Sequence, residues 1–284
     1  MNSKNYDVSL VVPVLNGEES IARLLESIRA VKKMSPYSYE VWVIDGNSSD
    51  GTIDVVKRFS DVVKGYVSEP DNGQSDAINK GADLCSGVYF NWLCADDEVI
   101  AENYVRFVDK VINSNADFGV ASSKRIYCDG SCDRMVPVNG FWEEIPFRNP
   151  IDQPSVLMRL RDFIKVGKVE ESFNFAMDFH LWGKIKALDP STVVDDQDIV
   201  IFHFDEDNKT SVGGRKLMLE MDRVLRLNGE HVSSMFFRLF YFMELLGLST
   251  VVHALVSCRY SPRQFKLYNW SFCAKQEKGV DWWK

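Results

Sequence analysis

The sequence predicts an α/β fold: a mostly parallel sheet flanked by helices, followed by a helical C-terminal appendage. Three observations lead there. Within the first hundred residues, short apolar runs alternate with stretches of helical periodicity, in the order β-α-β-α-β-α-β. The runs are apolar at consecutive rather than alternate positions, as strands covered on both faces are. Polar clusters follow the runs, and right-handed crossovers between parallel strands bring such clusters to one edge of the sheet.

Val8 to Val14 reads as the first strand, and Asn16-Gly17 turns the chain. Ile21, Leu24, Leu25, Ile28 and Val31 then fall at helical spacing. Glu18 and Glu19 open that helix and Lys32 and Lys33 close it, both signs suiting the helix dipole. Ser35-Pro36 ends that helix. Tyr39 to Ile44 is a second strand, running into the turn formers Asp45-Gly46-Asn47-Ser48-Ser49-Asp50-Gly51. Ser49 or Asp50 suits the cap of a helix carrying Ile53, Val56 and Phe59. Val62 to Val67 is a third strand, and Gly73 to Cys85 a third helix with a small-residue face at Ala77, Ile78, Gly81 and Ala82.

The central strand opens at Gly87, runs apolar and aromatic from Val88, and stops on Asp96-Asp97-Glu98. Adjacent aspartates repel each other unless a cation or hydrogen-bond donors compensate. A hard divalent metal carrying a diphosphate meets that need, because Mg²⁺ and Mn²⁺ take oxygen ligands and share them with phosphates. The pair equally suits a solvated turn or the acidic start of the next helix.

Beyond it, Val105, Val108, Val111 and Ile112 mark a helix, Asp117 to Ser122 a strand, and Lys124 to Val138 a hairpin around Asp129-Gly130. Phe141-Trp142 and the segment 148–155 read as irregular, with Asn149-Pro150 and Gln153-Pro154 as breakers. The aromatics from Phe141 to Phe147 suit either a sugar platform or core. Met177 to Leu188 is helical, with Leu181, Trp182, Ile185 and Leu188 on one face, and Val193 to Phe204 reads as an edge strand. From Lys216 the chain is helical in character. Phe236 to Val256 is strongly apolar but contains Arg238, Glu244 and His253, which a spanning helix would bury at several kcal/mol each. An amphipathic helix pair is expected instead, packed on the domain, a partner subunit or a membrane surface, with Asp281-Trp282-Trp283-Lys284 as an interfacial anchor.

The 284 residues allow one large domain plus an appendage, and a net charge of −8 does not suggest a nucleic-acid partner. The start has no secretory apolar region, and the six cysteines form no C-x-x-C pair, so reduced thiols in a cytoplasmic protein are expected. Cys128 and Cys132 bracket the hairpin turn, a spacing that would let two thiols meet, but a metal or disulfide there is the less favoured reading. Neither the dinucleotide fingerprint nor the phosphate loop is present, so a Rossmann dehydrogenase and a phosphate-loop nucleotidase are unsupported.

With these motifs in view, the chain resembles the family 2 glycosyltransferases, inverting nucleotide-sugar transferases of GT-A fold. The matching stretches are Val11–Glu18, Val43–Thr52, Ser68–Gly81 and Trp92–Asp97. Downstream, Gln153-Pro154-Ser155, Met177–Trp182, His203 and Asn208–Ser211 resemble the family's acceptor-side motifs. The resemblance implies a mixed, mostly parallel sheet and a GT-A domain over 1–212, with a nucleotide-binding half (1–100), an acceptor-side half (101–212) and a helical extension over 213–284.

The resemblance also implies roles. Pro13, Leu15, Glu18, Asp45, Asp76 and Asp96 are expected at the nucleotide and its sugar, Asp97 and His203 at a Mn²⁺ or Mg²⁺ ion, and Lys209 over the diphosphate. Gln153 and Trp182 are expected on the acceptor side, and Asp178 as the catalytic base. As a plain sequence feature, Asp178 equally suits a helix start. Cys94 stands where Asn is frequent in the family and Leu15 where an aromatic is, which leaves the nucleotide base open. The expected activity is transfer of a sugar, from a UDP-sugar, to a glycan or lipid-linked acceptor in bacterial polysaccharide assembly. The enzyme is expected in the cytoplasm or peripheral on the inner face of the plasma membrane, with membrane or homo-oligomer contacts through 216–284. A non-catalytic nucleotide- or glycan-binding subunit of an assembly complex is the alternative, against which intact Asp45, Asp96, Asp97 and Asp178 argue.

Overall fold

The computed structural model describes residues 6–127, 130–145, 149–204, 214–229 and 238, in two units that divide between Asp205 and Glu206. In the first unit the strands are Val8–Val14 (β1), Tyr39–Asp45 (β2), Gly65–Ser68 (β3), Tyr89–Trp92 (β4), Glu98–Val99 (β5), Phe118–Tyr127 (β6), Cys132–Met135 (β7), Val156–Arg159 (β8) and Thr192–Phe204 (β9). The helices are Ile21–Met34 (α1), Thr52–Arg58 (α2), Gln74–Leu84 (α3), Ala101–Asn113 (α4), Leu160–Lys165 (α5) and Met177–Lys186 (α6).

The strands join in one sheet of order β3-β2-β1-β4-β8-β6-β9-β5, with β7 on β6. The first four strands are parallel, as the alternation of elements predicts. β8 runs antiparallel between β4 and β6 and makes the sheet mixed. Every residue of β1 and of β4 is buried, which explains why both are apolar apart from the buried Ser9 and Asn91. On one face, α1 and α4 deliver Leu24, Leu25, Ile28, Phe107, Val108 and Val111 to a core with Leu10, Val12 and Leu157. Each such side chain contributes about 1.5–3 kcal/mol by burial. On the other face α3 lies close to β1, where a Cβ on Gly81 would stand 2.5 Å from Val11 Cγ1. An aromatic stack continues there, with Phe163 on Phe90 at 4.6 Å between ring centroids and Trp182 on Trp92 at 6.3 Å.

Several expectations are corrected. β9 is not an edge strand: it lies between β6, with which it is parallel, and the two-residue β5. A strand as short as Glu98–Val99 carries no periodicity to read. Between the irregular segment 148–155 and α6, a stretch to which the sequence assigns no element, the chain forms β8 and α5. Glu18 and Glu19 lie outside α1, whose first turn has no acidic residue. Gly51 is the N-cap of α2, although the Asp50 carboxylate accepts the Thr52 N–H at 3.1 Å. Phe141 is core, and Trp142 is half-buried with its Nε1 donating to Thr192 Oγ1 at 3.0 Å, so these two are not a free sugar platform. Phe147 lies outside the described residues, as does Cys128 of the pair at the hairpin turn.

The second unit contains Gly214–Leu227 (α7), in keeping with the helical character read from Lys216. Its buried Asp222 accepts two bonds from Arg238, at 2.9 and 2.7 Å. The remainder of Phe236–Val256, Asp281–Lys284 and the membrane or homo-oligomer surface expected of them lie outside the described residues. Among the described residues no helix is long and apolar enough to cross a membrane.

Candidate active site

The carboxyl ends of β1 and β2 continue into two loops that brace each other. Asn16, at φ 52°, turns the chain so that its N–H donates to Ser48 Oγ at 2.7 Å and its Oδ1 accepts the Ser49 N–H at 2.9 Å. The Gly51 N–H donates to Glu18 Oε2 at 2.8 Å. Pro13, near the end of β1, is buried, and Leu15 after it is exposed. Asp45, wholly buried, accepts the Ser48 N–H and hydroxyl and, at 2.6 Å, the Ser68 hydroxyl. Asp76 accepts the Asn72 N–H at 2.9 Å and lies 3.3 Å from Lys80 Nζ, bracing the loop that follows β3. Glu18, Asp45 and Asp76 therefore hold the rim of this edge in shape.

The acidic pair sits in the tight reversal between β4 and β5, closed by the Asp97 N–H on the Cys94 carbonyl at 3.0 Å. Asp97 is 1% exposed. Its Oδ2 accepts the Cys94 N–H at 2.7 Å, whereas its buried Oδ1 has no hydrogen-bond partner. Burial, and after it the charge of Asp96, hold the Asp97 carboxyl well above the usual carboxylate range. Arg23 reaches across from α1 to donate to the Asp96 carbonyl at 3.0 Å, with its Nε 3.7 Å from Glu98. From the end of β9, His203 Nε2 comes to 3.5 Å from Glu98 Oε2. His203 is thus brought to the residue next to the acidic pair.

A divalent cation fits this turn. Asp97 Oδ1 is a hard oxygen left over in a buried place, and Mg²⁺-type ions are held by one or two carboxylates together with substrate phosphates rather than by complete protein cages. Among the described residues no three His, Cys, Asp or Glu side chains gather as a metal site.

The segment before β8 completes the site. Gln153 donates to Asn91 Oδ1 at 3.0 Å and to the Trp92 carbonyl at 2.8 Å, tying this segment to the end of β4. Asp152 is gripped by Arg125 through two bonds, at 2.9 and 2.6 Å, and accepts the Ser123 hydroxyl. Asp178, in the first turn of α6, accepts Asn149 Nδ2 on Oδ2 at 2.8 Å and its neighbour's Phe179 N–H on Oδ1 at 2.7 Å. Burial pushes its carboxyl up to about 6, and the charge of Asp152 adds to that. The same Asp152 charge also raises Asp97, so one carboxylate acts on both.

Trp182 does not reach an acceptor surface: it is fully buried and backs α6 by stacking on Trp92 at an interplanar angle of 15°. Lys209 lies outside the described residues. Sequence reasoning missed Asn149, Asp152, Arg125, Glu98 and Arg23. Asn149 was visible only as half of a breaker, and Asp152 only as the neighbour of Gln153.

Residues 9–162 match the family model described as Glycosyl transferase family 2. The UDP-Glc:alpha-D-GlcNAc-diphosphoundecaprenol beta-1,3-glucosyltransferase WfgD of Escherichia coli is 31% identical over 115 residues, 40% of this chain and 44% of that one. The chain spans 35%, 62% and 35% of the length of three further curated relatives, all uncharacterized glycosyltransferases from Rickettsia. Among solved structures, TarS 1-349 of S. aureus in complex with UDP-GlcNAc superposes with a TM-score of 0.62 at 18% identity, over 78% of this chain and 66% of that one. The mannosyltransferase PcManGT of Pyrobaculum calidifontis, in complex with GDP-Man and Mn²⁺, gives a TM-score of 0.63 at 15% identity, over 94% and 79%.

Proposed function

The chain belongs to glycosyl transferase family 2 and has a GT-A fold, and from that premise we propose that it transfers one sugar, with inversion, from a UDP-sugar to a hydroxyl of a glycan or lipid-linked acceptor. The observation that carries the proposal is that one short segment reaches both acidic elements: Asn149 donates to Asp178 at 2.8 Å, and Gln153 donates to the Trp92 carbonyl at 2.8 Å, at the end of the strand that runs into Asp97. One buried carboxylate with a leftover oxygen and one carboxylate of raised proton affinity are the two groups that displacement of a diphosphate by an alcohol requires.

The acceptor hydroxyl attacks the anomeric carbon from the face opposite the diphosphate and gives its proton to Asp178. A carboxyl near 6 is ionised at neutral pH yet holds a proton better than an exposed aspartate, which suits a general base. We assign Pro13, Leu15, Glu18, Asp45, Asp76 and Asp96 to the nucleotide side and Gln153 to the acceptor-side segment, and, from the sequence resemblance alone, Lys209 to the diphosphate. Asp97 would hold Mn²⁺ or Mg²⁺, with His203 alongside, and the bound ion supplies Lewis-acid stabilisation of the leaving diphosphate. The UDP donor is supported by the name of WfgD and the ligand of TarS, the lipid-linked acceptor by the name of WfgD, and the metal by the ion in PcManGT. A cytoplasmic or inner-membrane-surface location, with contacts through 216–284, belongs to the same proposal.

The test is a thermal-shift panel of UDP, GDP, dTDP and CMP, each with and without Mn²⁺. UDP at a hundred times its dissociation constant stabilises the fold by about 2.7 kcal/mol. A Mn²⁺-dependent shift with UDP is expected, and Asp97→Ala loses it. Undiminished metal-dependent binding in Asp97→Ala would remove that residue as a ligand. A nucleotide shift without turnover of any UDP-sugar points instead to the non-catalytic binding subunit.

A further inference from the structure

We propose that Asn149 is a positioning residue for Asp178: its side-chain amide fixes the rotation of the carboxylate and stabilises its ionised form. The proposal rests on the reading of Asp178 as the base.

The amide is itself oriented. Asn149 Oδ1 accepts the Ile151 N–H at 3.3 Å, so Nδ2 is the end left to donate, and it meets Asp178 Oδ2 at 2.8 Å. The other carboxylate oxygen takes the Phe179 N–H, a donor that α6 carries with it. One oxygen is therefore tied to its own helix and the other to a separate segment, and a carboxylate held at both oxygens by different elements cannot rotate freely.

The segment that delivers Asn149 is anchored along its length. Pro150 and Ile151 are buried, Asp152 is held by Arg125, and Gln153 is held by the end of β4. That segment presents two opposed influences to Asp178. Asn149 donates to the charged carboxylate and favours it, while Asp152 opposes it by like charge, muted by the two bonds from Arg125. Asparagine suits the place because one end must accept and the other donate. An aspartate there would add a second like charge, and an alanine would leave the Ile151 N–H and Asp178 Oδ2 without these partners.

The experiment follows the Asp178 carboxyl directly. The full chain is labelled with carboxyl-¹³C aspartate, the Asp178 signal is assigned by its loss in Asp178→Asn, and it is titrated in wild type, Asn149→Ala and Asn149→Asp. No ligand is needed. The wild-type signal is expected to titrate near 6. In Asn149→Ala the midpoint rises by about one pH unit, the worth of a hydrogen bond to a charged group, and it rises further in Asn149→Asp. A role in folding alone would not move that midpoint. If the alanine variant does not fold, the aspartate variant, of the same size and shape, carries the test. A midpoint near 6 that neither variant raises overturns the role of Asn149 and leaves Asp178 as the base. A wild-type midpoint in the ordinary carboxylate range overturns instead the raised proton affinity on which the base reading leans.

Discussion

A carboxylate that takes a proton from an alcohol must be ionised at working pH, yet sit where water is scarce. Asp178 meets both needs, and its burial has a consequence for stability. Its folded pKa, pushed up to about 6, lies above the unfolded value near 3.8. The raised group therefore contributes stability that is full below the unfolded value and is lost as pH rises through about 6. Asp178→Asn removes this dependence, so its stability relative to wild type is expected to grow between about pH 4 and 6 and to level off above. Thermal melts of the two proteins across that range check it; a constant difference would show that Asp178 does not titrate there. In the same variant, transfer is expected to fall by roughly 10²–10⁴-fold, the usual contribution of a general base, with the nucleotide shift retained. Full transfer in Asp178→Asn would exclude it as the base.

The elements place these residues through close contacts that leave no room for substitution. α3 lies against β1 and β2 at Gly81, where a Cβ would come within 2.5 Å of Val11 Cγ1 and 3.0 Å of Ile44 Cγ1. Gly81→Val is expected to destabilise the fold by about 2–3 kcal/mol through overpacking, measured as a lowered urea midpoint. An unchanged midpoint would mean that α3 can shift without cost. The face carrying Gly81 was legible in the sequence, because small residues at helical spacing mark close packing. So were β1, β2 and β4, whose apolar runs are long enough to carry a pattern, and so was the polar edge that parallel strands impose. Glu98–Val99 was not legible, because two residues have no period, and with it went the interior place of β9. The site divides in the same way. Asp97 and Asp178 stand in motifs that mark them. Asn149 acts through a contact 29 residues away in the chain, and nothing in its local sequence distinguishes a hydrogen-bond donor to a carboxylate from a turn former.

For the molecule as a whole, the carboxylates pull stability in two directions. Asp97 and Asp178 are both raised, chiefly by burial, and so weaken the fold as pH rises. Others are lowered. Burial acts to raise Glu40, but bonds from Lys64, Ser9 and Ser86 outweigh it, and Asp117 is held down first by the Ser191 hydroxyl. These lowered groups contribute stability that is lost as pH falls through their folded values. The lowered set gains stability up to the unfolded carboxylate values and the raised set loses it above them, so in metal-free buffer the melting temperature is expected to peak at about pH 4–5 and to decline through pH 6. On the proposed reading, Mn²⁺ with UDP would act on the same balance from the other side, because a cation at Asp97 would favour its ionised form. At pH 7.5, UDP at a hundredfold its dissociation constant with Mn²⁺ is expected to add about 2.7 kcal/mol, a rise of several degrees, and to shift the optimum toward neutral pH. Scanning fluorimetry at pH 4.5, 5.5 and 7.5, with and without the pair, reads both effects. A metal-free curve that climbs steadily to pH 7.5 would show that Asp97 and Asp178 are solvated in the folded protein, which would remove the electrostatic basis of the proposed site.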